Sequence, residues 1–364
     1  MRKLLALAVC AMLTLGAAAC GGDDDDNGGG GGGGGSSSVS GEIAGAGATS
    51  QEAAQEAWIA GYQDQNPDVT IAYDPVGSGG GREQFIAGGT AYGGTDDPLE
   101  GEELSGAQKR CGGPDALVQI PVYISPIAVV YNLQGVDKLQ LSPDTLAKIF
   151  AQKITNWNDP AIKSENSGVD LPDTRITVVN RSDESGTTEN FTDYLSQVAP
   201  DVWTYDVSGN WPVKGGEAAE GTSGVVEAVG AGDGAIGYAD ASQAGDLGVA
   251  DIKVGANYQP PSPEAAAKVL DESKKDAALS KGPHVFAFAL KRDTASEGVY
   301  PIVLVSYLMG CTKYDSANTA KIVKGYFNYV ISKPGQEAAS KNAGSAAMSD
   351  QLRSQVQPSV DAIQ

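Results

Sequence analysis

Three short segments combine glycines with hydroxyl-bearing side chains, each where a predicted strand gives way to a predicted helix. They are Gly45-Ala46-Gly47-Ala48-Thr49-Ser50, Gly77-Ser78-Gly79-Gly80-Gly81 and Arg181-Ser182-Asp183-Glu184-Ser185-Gly186-Thr187-Thr188. A helix N-terminus carries unpaired N–H donors and about half a positive charge, and glycine lets a ligand approach the backbone closely. The three segments therefore predict binding of an anion.

Each junction also has a purely structural interpretation. Thr49 with Glu52, for example, matches a capping box, in which the two side chains only satisfy the first backbone groups of a helix. One glycine-rich turn is weak evidence for a ligand. Three turns of matching chemistry, one of them containing Arg181, favour convergence on a single oxyanion, because arginine offers two parallel hydrogen bonds to such a group.

Motifs for other chemistries are incomplete in this chain. Gly45-Ala46-Gly47 lacks the third glycine of a dinucleotide-binding fingerprint, and no lysine follows a glycine turn at P-loop spacing. Ser78 and Ser185 lie outside a Gly-x-Ser-x-Gly elbow, and His284, the single histidine, is interpreted as structural. Metal-ligand clusters of Cys and His are absent from the sequence. We therefore expect no catalytic residue, no cofactor and no metal.

The composition excludes further classes of function. The 364 residues include 25 Lys+Arg against 46 Asp+Glu, for a net charge of −21. A nucleic-acid binder needs basic residues to neutralise phosphates, and an anionic membrane surface would repel this charge. Charged residues at 20% and hydrophobic residues at 41% are typical of a globular protein, and the length favours about two domains.

The first forty residues are predicted to be a targeting segment and a tether rather than part of a fold. A basic start followed by an uncharged stretch predicts a signal peptide over residues 1–19. Gly16-Ala17-Ala18-Ala19-Cys20 resembles a bacterial lipobox, in which Cys20 carries the lipid anchor, although Ala17 stands where Leu is usual. Ordinary cleavage after Ala-x-Ala is the alternative. Residues 20–40, rich in Gly, Ser and Asp, predict a flexible tether.

Cys111 and Cys311 are the two cysteines left after the predicted targeting segment. An exported protein with two remaining cysteines is expected to pair them, so we predict a disulfide. Two independent buried thiols are the alternative.

Short apolar runs alternate with amphipathic stretches from residue 42 onward. This alternation predicts an α/β fold with parallel sheets. The predicted strands cover residues 42–47, 69–73, 121–131, 175–180, 235–238, 285–290 and 300–308, and the predicted helices cover 50–65, 82–87, 142–150, 187–198 and 318–332.

At these junctions the chain resembles the periplasmic phosphate-binding protein family, the substrate receptors of Pst-type phosphate ABC transporters. The likeness covers most of residues 41–364 and includes the three segments above together with Thr95-Asp96-Asp97-Pro98-Leu99, Ile154-Thr155-Asn156-Trp157-Asn158-Asp159-Pro160 and Gly234-Ala235-Ile236-Gly237-Tyr238. It implies the two-lobed, type II periplasmic-binding-protein fold, with a ligand cleft between lobes joined by two crossover strands. Lobe I would comprise residues 41–123 and 296–364, and lobe II residues 124–295.

The resemblance also implies a set of phosphate ligands. Asp96 would accept a hydrogen bond from a phosphate O–H, and Arg181, oriented by Asp183, would donate charge-assisted bonds. The remaining donors would be hydroxyl or backbone groups of Thr49, Ser50, Ser78, Ser185, Gly186 and Thr187. Two positions depart from the family pattern: Ser50 stands where an aromatic residue is frequent, and Glu184 where glycine is common. The Glu184 carboxylate would either weaken anion binding or point to solvent.

The function implied is capture of inorganic phosphate and its delivery to ABC-transporter permease subunits with their ATPase. The protein would be a monomer, exported and held at the outer face of the bacterial cell membrane through its lipid anchor only, with no nucleic-acid partner. A receptor for sulfate or molybdate and a secreted phosphatase are the alternatives. Asp96 favours phosphate, because near neutral pH phosphate still carries a proton and sulfate does not, so sulfate would leave a buried acceptor unpaired.

Overall fold

The computed structural model describes residues 39–364 of the chain. The predicted signal peptide (residues 1–19), Cys20 and all but the last two residues of the predicted tether lie outside the described residues. Within residues 39–364, no helix is both long and apolar enough to cross a membrane.

Strands and helices alternate along the described residues, as the sequence predicts. The strands are β1 (Gly41–Gly47), β2 (Val69–Asp74), β3 (Tyr92–Thr95), β4 (Leu117–Asn132), β5 (Gln140–Leu141), β6 (Thr177–Arg181), β7 (Glu217–Ala219), β8 (Ala235–Asp240), β9 (Gly248–Val249), β10 (Asp251–Val254), β11 (Asn257–Gln259), β12 (Lys274–Lys275), β13 (Phe288–Ala289) and β14 (Val303–Cys311). The helices are α1 (Glu52–Gln65), α2 (Gly77–Ala87), α3 (Gly101–Cys111), α4 (Pro143–Phe150), α5 (Pro160–Glu165), α6 (Gly186–Val198), α7 (Gly221–Ala231), α8 (Pro263–Glu272), α9 (Ala317–Ile331), α10 (Lys333–Ala343) and α11 (Asp350–Asp361).

The main sheet has the strand order β2-β1-β3-β14-β4-β8-β6-β7, with β9 added beside β4. Its two outer parts are parallel, since β1 pairs with β2 and β3, and β6 pairs with β7 and β8, in that sense. The prediction of parallel sheets is wrong for the centre, where β14 runs antiparallel to both β3 and β4, and β4 also runs antiparallel to β8. These paired strands come from distant parts of the chain rather than from successive strands joined by a short crossover helix.

Strand β4 belongs to both parts of the sheet. Its 16 residues are rich in β-branched side chains, and all but the last are buried, as expected for a strand covered on both faces. Residues 117–126 pair with β14, whereas residues 127–132 pair with β8. The architecture is the two-lobed α/β fold implied by the resemblance, while the residue boundaries of the lobes stay predictions.

Four predicted elements have bounds that differ by three residues or more in the structure. Strand β4 begins at Leu117 rather than at residue 121, and β14 covers Val303–Cys311 rather than residues 300–308. Helix α2 begins at Gly77 rather than at residue 82, so the glycine run forms its first turn. The predicted strand over residues 285–290 reduces to Phe288–Ala289. Its first part bonds instead to a single residue of β4, because Gln119 N donates to His284 O and Phe286 N donates to Gln119 O, both at 2.9 Å.

The predicted disulfide is confirmed: Cys111, the last residue of α3, is bonded to Cys311, the last residue of β14. Their Cα atoms lie 5.2 Å apart although 200 positions separate them in the sequence. The bond therefore closes a very long loop in the unfolded chain and restricts the conformations open to it.

Replacing both Cys111 and Cys311 with alanine is expected to lower the free energy of unfolding by up to about 5 kcal/mol, the entropic value for a loop of this length. Urea unfolding of the variant beside the oxidised wild type measures this, and the reduced wild type is the matched control. An unchanged unfolding midpoint would contradict the prediction.

Candidate anion-binding site

The three segments singled out in the sequence meet at one place in the structure. Strands β1, β3 and β6 end beside it, at the carboxyl edge where ligands bind in open α/β sheets. Gly79 N donates to Glu184 O at 3.3 Å, which joins the second segment to the third. Asp96 lies between the segments and accepts hydrogen bonds from Ser50 and Thr187. The site is thus built from parts of the chain that are far apart in sequence.

The first segment places two buried hydroxyls in a 3-10 turn, Thr49–Gln51, between β1 and α1. Thr49 Oγ1 lies 2.8 Å from Thr222 Oγ1 and accepts a hydrogen bond from Thr222 N at 3.1 Å. Ser50 Oγ donates to Asp96 Oδ1 at 2.6 Å. One hydroxyl of this turn therefore contacts the start of helix α7, and the next contacts the buried carboxylate.

The glycine run of the second segment is required by packing. A Cβ atom at Gly81 would lie 2.3 Å from the Cα atom of Gly47, so only glycine lets helix α2 lie against the end of β1. This close approach brings Ser78, which is 1% exposed, to the loop after β3, where its Oγ accepts a hydrogen bond from Asp96 N at 3.1 Å.

The third segment supplies the positive charge and a helix N-terminus. Arg181 ends β6, is 3% exposed, and donates from Nε to Asp183 Oδ1 at 2.7 Å and from Nη2 to Asp183 Oδ2. Burial alone would raise the pKa of Asp183, but the Arg181 guanidinium lowers it below its usual value. Because Nε and Nη2 bond to Asp183, Nη1 is the guanidinium nitrogen that this pairing leaves to donate elsewhere.

Helix α6 begins directly beside the Asp96 loop. Ser185 is its N-cap and accepts a hydrogen bond from Thr188 N at 3.2 Å. A Cβ atom at Gly186 would lie 2.7 Å from both Ser78 Oγ and Asp96 Cβ, so glycine allows the helix start to approach the other two segments. The first turn of a helix has backbone N–H groups without an intrahelical partner, so this helix start adds possible donors beside Asp96 and Ser78.

Asp96 is the buried acceptor at the centre of this site and is 2% exposed. Its Oδ1 accepts from Ser50 Oγ and Ser306 Oγ, both at 2.6 Å, and its Oδ2 accepts from Thr187 Oγ1 at 3.1 Å. Burial raises the pKa of Asp96, while the three hydroxyls and the Arg181 charge oppose that rise. Three donors around a carboxylate stabilise its ionised form.

Glu184, one of the two departures from the family pattern, has a partner that the sequence did not reveal. Its carboxylate pairs with Arg82 at 2.6 Å, although its side chain stays 44% exposed. Arg82 is itself buried and also pairs with Asp97 at 2.5 Å and with Glu103 at 2.8 Å. The Glu184 carboxylate therefore neither stands alone beside the hydroxyl donors nor points freely to solvent.

Changing Glu184 to glutamine is expected to alter the affinity for phosphate, the ligand that the resemblance implies, by less than about threefold. Arg82 already balances the charge of Glu184, and a side-chain amide oxygen can still accept from it. Equilibrium titration measures this, with the exposed Asp170→Asn as a matched control. A gain of about tenfold or more in affinity would show instead that the carboxylate repels the ligand.

Four polar residues of this region were missed by sequence reasoning. The sequence contains a signal that could have identified Thr222, because Gly221-Thr222-Ser223-Gly224 is another run of glycines and hydroxyls at the start of a helix that follows a strand. That strand, β7, has only three residues, so the junction was not recognised. Ser306 lies in an apolar run, Gln51 directly follows the hydroxyls of the first segment, and Arg82 follows the glycines without a pattern of its own. These three had no local signal.

His284 lies outside this site, and its Nδ1 lies 3.2 Å from Ser359 Oγ in helix α11, a contact that fits the structural interpretation of this histidine. Among the described residues, no group of three His, Cys, Asp or Glu side chains is arranged to hold a metal ion.

Comparison with known proteins identifies the class. Residues 33–334 match the PBP superfamily domain, so the chain is a member of this superfamily of two-lobed binding proteins. It is 36% identical over 326 residues to Phosphate-binding protein PstS 3 of Mycobacterium tuberculosis, covering 87% of this chain and 85% of that protein. It is also 32% identical over 306 residues to Phosphate-binding protein PstS of Haemophilus influenzae, covering 82% and 86%. Within the superfamily, the chain belongs to the PstS phosphate-binding proteins.

Solved structures share the fold. A high affinity periplasmic phosphate-binding protein (PfluDING) bound with phosphate superposes with a TM-score of 0.71 at 23% identity, covering 87% of this chain and 93% of that one. The phosphate binding protein from Stenotrophomonas maltophilia gives a TM-score of 0.68 at 21% identity, covering 88% and 94%. The family and the fold implied by the sequence are thereby confirmed, while the contact of each predicted residue with a ligand stays a prediction.

Proposed function

We propose that this protein captures inorganic phosphate and delivers it to an ABC-transporter permease for import. The observation that carries the proposal is the buried Asp96 carboxylate, which lies among hydroxyl and helix N-terminal donors and near the Arg181 charge. Membership in the PstS family supports the same conclusion. The members of this family are binding proteins rather than enzymes, which argues against the alternative function of a secreted phosphatase.

The donor set suits a tetrahedral oxyanion that carries a proton. Most of its groups donate hydrogen bonds and so match unprotonated oxygens, while Asp96 accepts and so matches one O–H group. Sulfate would place an unprotonated oxygen against this carboxylate, so two negatively charged oxygens would face each other with no proton between them. The proposed phosphate ligands are Thr49, Ser50, Ser78, Asp96, Arg181, Ser185, Gly186 and Thr187, with Asp183 orienting the arginine.

The position of these groups supports a cleft that closes on its ligand. The predicted lobe I contributes Thr49 and Asp96, and the predicted lobe II contributes their partners Thr222 and Thr187. A ligand held by both lobes stabilises the closed arrangement, which is the state that a permease can recognise. Small-angle X-ray scattering with and without phosphate measures the closure.

The remaining parts of the proposal concern the location of the protein. A signal peptide over residues 1–19 and a lipid on Cys20 would hold the folded part at the outer face of the cell membrane, at the end of the Gly- and Ser-rich tether. The protein would act as a monomer and meet permease subunits with their ATPase. Mass spectrometry of the natively purified protein tests both the lipid and a retained phosphate.

Equilibrium titration with phosphate and with sulfate at neutral pH tests the function itself. We expect tight binding of phosphate and binding of sulfate weaker by at least about a hundredfold, because in a buried site an unprotonated sulfate oxygen would face the Asp96 carboxylate without a hydrogen bond between them. Equal affinities would favour the alternative of a general receptor for tetrahedral oxyanions such as sulfate or molybdate.

A further inference from the structure

A continuous chain of buried hydrogen bonds runs from helix α9 to the Asp96 carboxylate. The Tyr326 hydroxyl donates to Gln55 Oε1 at 2.7 Å, and Gln55 Nε2 donates to Gln51 Oε1 at 2.8 Å. Gln51 Nε2 then donates to Ser306 Oγ, which donates to Asp96 Oδ1 at 2.6 Å. Each of the five residues is at most 2% exposed. These bonds are therefore shielded from water along their whole length.

The hydrogen bonds of this chain all run in one direction, from donor to acceptor toward Asp96, and the side-chain amides of Gln55 and Gln51 set that direction. An amide nitrogen only donates, so Gln51 Nε2 occupies the acceptor side of Ser306 Oγ. The Ser306 hydroxyl then has two acceptors within reach, and Asp96 Oδ1 at 2.6 Å is closer than Thr95 O at 3.2 Å. Ser50 Oγ donates to the same carboxylate oxygen, also at 2.6 Å. Because Ser50 and Ser306 both donate to Oδ1, a proton bound to that oxygen would be close to their hydroxyl hydrogens, which is unfavourable. Oδ2, which faces Thr187, is the oxygen left to accept a proton from a ligand.

We propose that Ser306, held by Gln51, determines which oxyanions the site accepts, by keeping Asp96 an acceptor that takes a protonated oxyanion and rejects an unprotonated one. The proposal rests on the proposed function, because it assumes that Asp96 meets the anion. Ser306 is a positioning residue, since it acts through Asp96. We therefore expect loss of the Ser306 hydroxyl to change the preference for phosphate over sulfate and the pH dependence of sulfate binding, rather than the affinity for phosphate alone.

The charges around Asp96 make the hydroxyls important. The Arg181 charge lowers the pKa of Asp96 and so favours the ionised carboxylate. The Asp96 charge in turn contributes to the raised pKa values of Asp97, Asp240 and Tyr73, which face it. Burial raises the pKa of Asp96, and Ser306 is the strongest of the hydroxyl donors that lower it. Loss of the Ser306 hydroxyl must therefore raise this pKa further. Protonated Asp96 would then persist to higher pH and donate to sulfate.

The test compares Ser306→Ala with wild type by calorimetric titration of phosphate and of sulfate between about pH 5 and pH 8. We expect the ratio of phosphate to sulfate affinity at neutral pH to fall about tenfold or more, the effect of one hydrogen bond to a charged group. We also expect sulfate binding to extend to higher pH. Ser306→Thr retains the hydroxyl and should restore the wild-type ratio.

Two further variants separate this effect from a loss of structure. Gln51→Met removes the amide that directs Ser306 and should lower the ratio in the same direction. Ser359→Ala removes an equally buried hydroxyl beside His284 and should leave the ratio and its pH dependence unchanged. Thermal unfolding confirms that each variant is folded before titration.

The outcomes distinguish the inference from the function on which it rests. If wild type binds phosphate selectively and both folded variants, Ser306→Ala and Gln51→Met, keep its ratio at every pH, the chain of hydrogen bonds is only structural and the inference is wrong. If wild type itself binds no phosphate, the proposed function fails, and the inference fails with it.

Discussion

Replacing Arg181 with alanine should weaken phosphate binding by at least about a hundredfold, because a charge-assisted hydrogen bond to an anion is lost from a site that water barely reaches. The change also removes the partner of Asp183, whose carboxylate bonds to Nε and Nη2 of the arginine. An unpaired negative charge would then stand beside the anion. Equilibrium titration with phosphate measures the loss.

Two further variants separate these contributions. Arg181→Ala combined with Asp183→Asn removes the unpaired carboxylate and should recover part of the lost affinity, in the manner of a double-mutant cycle. Arg175→Ala removes an exposed arginine shortly before strand β6 and should leave phosphate binding unchanged. Wild-type affinity in folded Arg181→Ala protein would remove the arginine from the site.

The three segments of the site were predicted from a local signal in the sequence, whereas Asp96 and the orienting role of Asp183 were predicted from the family resemblance. A strand, a glycine and a hydroxyl within a few residues of a helix start are readable from a short window, and each of the three segments lies at such a junction. The pairing of Arg181 with Asp183 is equally local, since two positions separate them. All of these features involve residues that are close together in the sequence.

The missed parts depend on residues that meet only in the folded chain. Thr222 is 173 positions from Thr49, and Ser306 is 210 positions from Asp96. A serine within a buried strand looks like any small core residue until its neighbours are known. Arg82 likewise becomes informative only once Glu184 lies beside it.

The same reason explains the error in the sheet. Alternating strands and helices indicate parallel pairing between successive strands, and this holds for β1 with β2. The central pairing of β4 with β14 joins strands from distant parts of the sequence, so no local period reports its direction. Most of β4 was nevertheless predicted, as an apolar run over residues 121–131, and β4 is the strand that connects the two parts of the sheet.

Changing Asp96 to asparagine is expected to reduce the preference for phosphate over sulfate by about a hundredfold or more. The orientation of the new side chain gives the reason. Ser50 and Ser306 both donate to the Oδ1 position, so the amide oxygen would occupy that position and the NH₂ group would face Thr187 and the ligand. The site would then present a donor where it now presents an acceptor.

This reversal predicts opposite effects on the two anions. Sulfate would gain a hydrogen bond and bind more tightly, while phosphate would lose the acceptor for its O–H group and bind more weakly. Titration of both anions over a range of pH measures the ratio, with the neighbouring buried carboxylate, Asp97→Asn, as the matched control. Sulfate binding by wild type should strengthen as pH falls through the pKa of Asp96, because protonation turns the carboxylate into a donor. In Asp96→Asn that pH dependence should vanish, and an unchanged preference for phosphate would show that the anion does not contact this side chain.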